Sequence, residues 1–121
     1  MSILPIVPIL KASPDVTALL GADLRVYEDV APVGAQVPYV VWQELAGQSN
    51  NHLDNAPANF DDVQFQVMVY DSYVGRAYQV REAVRKALES NCYILNPRIS
   101  GFDSTTKQSM RGFDANWIQE I

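Results

Sequence analysis

Val63-Gln64-Phe65-Gln66-Val67-Met68-Val69-Tyr70, then Asp71-Ser72, then Tyr73 to Leu88: this stretch decides the fold. In its first part Val63, Phe65, Val67 and Val69 fall on one face, and Gln64, Gln66, Met68 and Tyr70 on the other. A period of two predicts a strand with one face on a core. Asp71-Ser72 breaks the pattern and offers a capping side chain. From about Tyr73 the period becomes helical, and Ala77, Val80, Val84, Ala87 and Leu88 form an apolar stripe. Arg76, Arg81, Glu82, Arg85, Lys86 and Glu89 occupy the remaining surface; the basic Arg76, Arg81, Arg85 and Lys86 read most simply as a solvated face, with a subunit contact as the second reading. Glu82 precedes Lys86 by four, a spacing that adds roughly 0.2–0.5 kcal/mol to an exposed helix. A strand therefore feeds a long helix that folds back over the strand's apolar face.

The totals frame what such a unit can be. The chain has 121 residues, enough for one core and a single domain over 1–121. It is 48% hydrophobic and 19% charged, a globular composition. A net charge of −5 argues against holding nucleic acid by neutralising phosphates. Cys92 is the one cysteine, so no internal disulfide forms. The opening Met1 to Leu10 lacks a basic leading region and is broken by Pro5 and Pro8, unlike a signal peptide. No apolar run is long enough to span a membrane as a helix.

Outward from the central stretch, Ile3 to Ala12 reads as a short helix or turn-plus-helix. Ser13 caps a second helix with Pro14 in its first position; Val16, Leu19 and Leu20 face inward, and Gly21 ends it. A short strand lies around Arg25-Val26-Tyr27, followed by the turn-rich Ala31 to Gln36. Pro38 to Leu45 is a strand whose first half is apolar on both faces, which predicts a central position covered on both sides. Gly47 to Asp62 is polar and long, and joins two strong strands as the tip of a hairpin. After the helix, Asn91-Cys92-Tyr93 leads into Ile94 to Pro97. Two more strands are predicted, Ile99 to Lys107 and Gly112 to Glu120, with Gln108-Ser109-Met110 as their turn. The expected fold class is α+β: a mainly antiparallel sheet of about four to five strands, one long helix packed on a face, and short N-terminal helices.

Catalytic chemistry finds little support. Ser49, His52 and Asp54 would be needed for a triad, yet they are neighbours on one loop and do not converge from separate elements. Gly47-Gln48-Ser49 begins like a nucleophile elbow, but Asn51 stands where a second glycine is required. Asp54, Asp61 and Asp62 lack the ligand spacing and turn glycine of a calcium loop. Cys92 has no CxxC partner and reads as a small buried apolar residue. Tyr39, Trp42, Phe65, Tyr70, Phe113 and Trp117 sit at strand positions that a core needs, without the interleaved basic residues of a base-stacking platform. Met68 and Tyr70, with Trp42 or Val40, belong to a second sheet face that either the N-terminal helices or another subunit would cover. No catalytic, metal or cofactor residue is assigned.

Several segments, read together, resemble a known family. They are Ala12-Ser13-Pro14-Asp15-Val16-Thr17-Ala18-Leu19-Leu20-Gly21, Arg25-Val26-Tyr27, Val30-Ala31-Pro32, Val37-Pro38-Tyr39-Val40-Val41-Trp42-Gln43, and Val63 to Tyr70 with the helix after it. This pattern is similar to the tail-completion (tail-terminator, or tail-to-head joining) proteins of long-tailed bacteriophages and prophages, from about Leu10 to Leu88. The resemblance implies a non-catalytic virion subunit, made in the host cytoplasm, that forms a homo-oligomeric ring of six at the head-proximal end of the tail tube. Its implied partners are the tail tube protein and the head connector or head-closure protein, with DNA passing through the lumen unbound and no membrane. An acidic subunit suits such a conduit, because like charge keeps a polyanion from sticking. The candidate subunit or tube contact is the loop, at Gln48, Ser49, Asn50, Asn51, His52, Leu53, Asp54, Asn55 and Phe60. Another neck component, or a small ligand-binding or enzymatic domain using the loop around His52, are the rival readings.

Overall fold

A computed structural model describes residues 4–45 and 63–117. Three helices and five strands follow one another: α1 (Ile6–Lys11), α2 (Pro14–Leu20), β1 (Val26–Glu28), β2 (Tyr39–Glu44), β3 (Gln64–Asp71), α3 (Val74–Leu88), β4 (Cys92–Asp103) and β5 (Gln108–Trp117). The fold is α+β, with the strands in one sheet of order β1-β2-β3-β5-β4. β1 runs parallel to β2, and every other neighbouring pair is antiparallel.

β3 lies at the centre of this order, and its alternation sets the layers. Phe65, Val67, Val69 and Asp71 are buried, while Gln64, Gln66, Met68 and Tyr70 are half-buried. α3 lies across the buried face of β3 and β5, as the stripe predicts, and buries Ala77, Val80, Val84 and Leu88. α1 and α2 pack against α3 on the same side. They contribute Ile6, Leu10, Val16 and Leu20 to a core shared with Val40, Trp42, Phe113, Ala115 and Trp117. The Ser13 hydroxyl accepts from the Val16 amide at 3.4 Å, and Pro14 follows it as expected. Gly21 closes α2 at φ 85°, a conformation that glycine takes without a Cβ penalty.

Several expectations are corrected. The cap of α3 is Tyr73, with no side-chain bond. Asp71 acts from the end of β3 instead, accepting from the Tyr73 amide at 3.2 Å. The segment after α3 is one long strand and a later turn. β4 runs unbroken in assignment from Cys92 to Asp103, the turn is Ser104 to Lys107, and Gln108 to Met110 open β5. The strand continues through Asn96-Pro97 because β4 is an edge strand, where proline is tolerated. The register of β4 on β5 shifts there, between Ile94 and Asn96 and again between Asn96 and Ile99. β2 is interior to the sheet, but only Val40 and Trp42 are buried; Tyr39 and Val41 stay half-exposed on the other face.

Candidate functional site

The face of the sheet opposite α3 carries no helix among the described residues, and register places its side chains in rows. Tyr39, Tyr70, Met110 and Gly101 form one row. Val41, Met68, Gly112 and Ile99 form the next. Gln43, Gln66, Asp114 and Asn96 form a third, so the face grades from aromatic and apolar to polar. Tyr39 and Tyr70 are stacked with centroids 5.1 Å apart, and Tyr27 meets Tyr39 edge-on at 6.2 Å. The Tyr39 hydroxyl donates to Gln108 Oε1 at 3.1 Å, and Gln66 Nε2 donates to Asp114 Oδ1 at 3.1 Å. Burial holds both the Tyr39 and Tyr70 phenols above their ordinary range. Beside the tyrosines the β1–β2 loop overhangs a cleft of about 480 Å³, lined by Val30, Pro32, Val33, Tyr39 and Tyr70 among others. Gly112 has no room for a side chain, since a Cβ there would meet the Val67 carbonyl oxygen and Met68 Sδ.

This geometry corrects two readings of the aromatics. Trp42, Phe65, Phe113 and Trp117 are core residues, but Tyr39 and Tyr70 belong to the open face. Val40 and Trp42 lie on the covered face, so they are not companions of Met68 and Tyr70. Nor do the N-terminal helices cover that second face, since they pack on α3.

The helix basics separate into different roles. Arg76 makes a two-pronged ion pair with buried Asp71, Nε to Oδ2 at 2.6 Å and Nη2 to Oδ1 at 2.7 Å. That pair locks the end of β3 to the first turn of α3. Arg81 is buried, contrary to a solvated face, and its Nε reaches Glu82 at 3.2 Å. Its guanidinium lies 4.9 Å from the Tyr78 ring centroid, and that of Arg111 from β5 lies 5.1 Å from the same ring. Arg111 also donates to the Gly101 and Met110 carbonyls at 3.1 and 2.8 Å. The Tyr78 phenol is held below its ordinary range, chiefly by hydrogen bonding to Arg111, then by that guanidinium's charge, with Arg81 and Arg98 adding to it. The sequence carried a signal for Arg81: Ala77, Arg81, Val84 and Leu88 recur at helical spacing, which puts the arginine on the stripe. Arg85 and Lys86 line the solvent side of α3 with Glu82 and Glu89.

Cys92 is buried as expected, and its thiol donates to the Leu88 carbonyl at 3.2 Å. Burial, and then Glu89, push it up to about 11, so it is a poor nucleophile. No group of His, Cys, Asp and Glu able to hold a metal occurs among the described residues. No described helix is long and apolar enough to cross a membrane. The predicted contact residues Gln48 to Asn55 and Phe60, with Asp61 and Asp62, lie outside the described residues.

Compared with known proteins, residues 5–119 match the model of a family described as tail completion protein gp17. No curated protein and no solved structure matches the chain.

Proposed function

This chain belongs to the tail completion protein gp17 family of phage tail proteins, and from that premise we propose that it forms a ring at the head-proximal end of the tail tube, ends tube polymerisation there and joins tail to head. Its role is structural, as a component of the tail and so of the virion. The family match over residues 5–119 carries the reading. The sheet face on which no described helix packs supports it, because a ring subunit must meet neighbours through surface that its own fold leaves accessible. Tube protein on one side and head connector on the other are the partners of such a ring. The net charge of −5 suits a rim along which DNA slides without adhering. The polar Gly47–Asp62 stretch is the proposed arm toward tube or neighbour.

Electron microscopy of particles made without this gene tests the function. Headless tails of abnormal length are expected. Normal-length tails beside filled or leaking heads would move the protein to another position in the neck, and normal particles would end the proposal. Deletion of 48–59 should leave a folded subunit that no longer caps tubes; capping that survives the deletion would remove the arm.

A further inference from the structure

The two lateral edges of the sheet differ in chemistry. β1 forms one edge and β4 the other, so they face opposite directions across the molecule. The β1 edge is acidic and aliphatic. Asp23, Glu28 and Asp29 are exposed there, together with Val30 and Val33 in the loop that follows. Its cation, Arg25, is turned inward, with Nε donating to the Pro38 carbonyl at 2.9 Å.

The β4 edge is basic and aromatic. Arg98 is exposed on the same strand as Tyr93, Leu95 and Phe102, which are 65%, 51% and 59% accessible, far from the burial expected of large apolar side chains. Its acid, Asp103, is engaged in the turn, accepting from the Thr105 and Thr106 amides at 2.9 and 3.4 Å. β4 is poorly built for adding a strand. Pro97 has no amide to donate, and the register breaks on both sides of Asn96. Contact at this edge must therefore run through side chains.

We propose that the β4 edge docks on the β1 edge of a second copy of this chain, with Arg98 facing the acidic pair Glu28 and Asp29. Two different edges meeting head-to-tail make a heterologous contact, and such contacts propagate from copy to copy and close into a ring when the rotation permits. A two-fold dimer through either edge alone would set like charges against each other. The inference names the lateral surface of the ring proposed above and rests on that reading.

Amide chemical shifts of the full-length ¹⁵N-labelled chain, followed as unlabelled chain is added, test it. Shifts are expected at 26–33 and 93–102, shrinking as salt is raised. Arg98→Glu, or Glu28→Lys with Asp29→Lys, should each weaken association by about tenfold or more. A one-to-one mixture of the two variants should restore it, because opposite charges then alternate at every contact. Unchanged melting temperatures verify that the exposed substitutions leave the fold intact. Shifts confined to the open sheet face, no self-association at the highest soluble concentration, or variants that associate like the parent would overturn the pairing. Abnormal headless tails on gene deletion would still support the terminator in that event, while edge-mapped shifts with normal tails would retain the pairing and remove the terminator.

Discussion

Along β3 two faces are built from alternating residues of one eight-residue strand, and they differ in what covers them. Phe65, Val67 and Val69 lie under α3 with no exposed surface. Met68 and Tyr70, their immediate neighbours, are half-exposed on a face that meets no helix among the described residues. The covered face is purely apolar until it reaches Asp71, which carries its own cation. The open face mixes stacked tyrosines, methionines, glutamines and a carboxylate, groups that tolerate both water and contact. Hydrophobicity drives the first face to close, and adaptability keeps the second usable.

Truncation measures that contrast. Phe65→Ala should cost about 4 kcal/mol in urea unfolding, through lost transfer energy and the cavity left behind. Met68→Ala should cost about 1 kcal/mol, since its side chain is only partly withdrawn from water. Equal losses would mean that the two faces are equally packed, and would break the comparison. Gly112→Ala sharpens it from another side. The open face meets no helix among the described residues, yet at Gly112 the strands approach so closely that an added methyl strikes backbone. About 3 kcal/mol is expected there, from a surface that otherwise tolerates change.

Arg76→Ala probes the polar end of the covered face. Asp71 is fully buried and Arg76 is 36% accessible, so removing the arginine strands a buried carboxylate while water enters only from one side. About 2 kcal/mol is expected, a buried-pair cost discounted for that screening. Asp71→Asn with Arg76→Ala together should recover part of it, since no charge is then stranded; a double variant as unstable as Arg76→Ala would show that the charge is not the cause.

The last effect is alkaline. The folded Cys92 thiol ionises near 11 against an ordinary 9.0, so the folded state holds its proton more tightly than the unfolded chain. That contribution is complete below about pH 9 and is lost as the pH climbs toward 11. Cys92→Ala should flatten the fall in unfolding free energy between about pH 9 and about pH 11. A fall of unchanged steepness would assign it to Tyr39 and Tyr70, whose raised phenols act in the same direction.

The frame was readable in the sequence because its signals are local. Val63 to Tyr70 alternates at period two, Ala77 to Leu88 recurs at helical steps, and Ser13-Pro14 with Gly21 brackets a helix by backbone chemistry alone. What escaped depends on partners distant in the chain. Tyr39 and Trp42 look equally core-like on one strand, and only the side chosen by α3 separates them. Asn96-Pro97 looks like a break until β5 supplies a ladder that absorbs the irregularity. Length and polarity alone mark the loop over 47–62 as a subunit contact, and the described residues offer other surfaces, the open face and the two edges.

β1 has only three residues, and it pairs with β2 alone, whereas β3 is bonded on both flanks along its length. Opening β1 therefore requires far less free energy than opening the centre of the sheet. Its amides should exchange with deuterium well before those of Phe65 to Val69. The acidic edge that carries Glu28 and Asp29 is thus expected to open before the core does. If that edge carries the proposed contact, a partly opened subunit would keep its core while losing its place beside a neighbour, and the length of one strand would act as quality control.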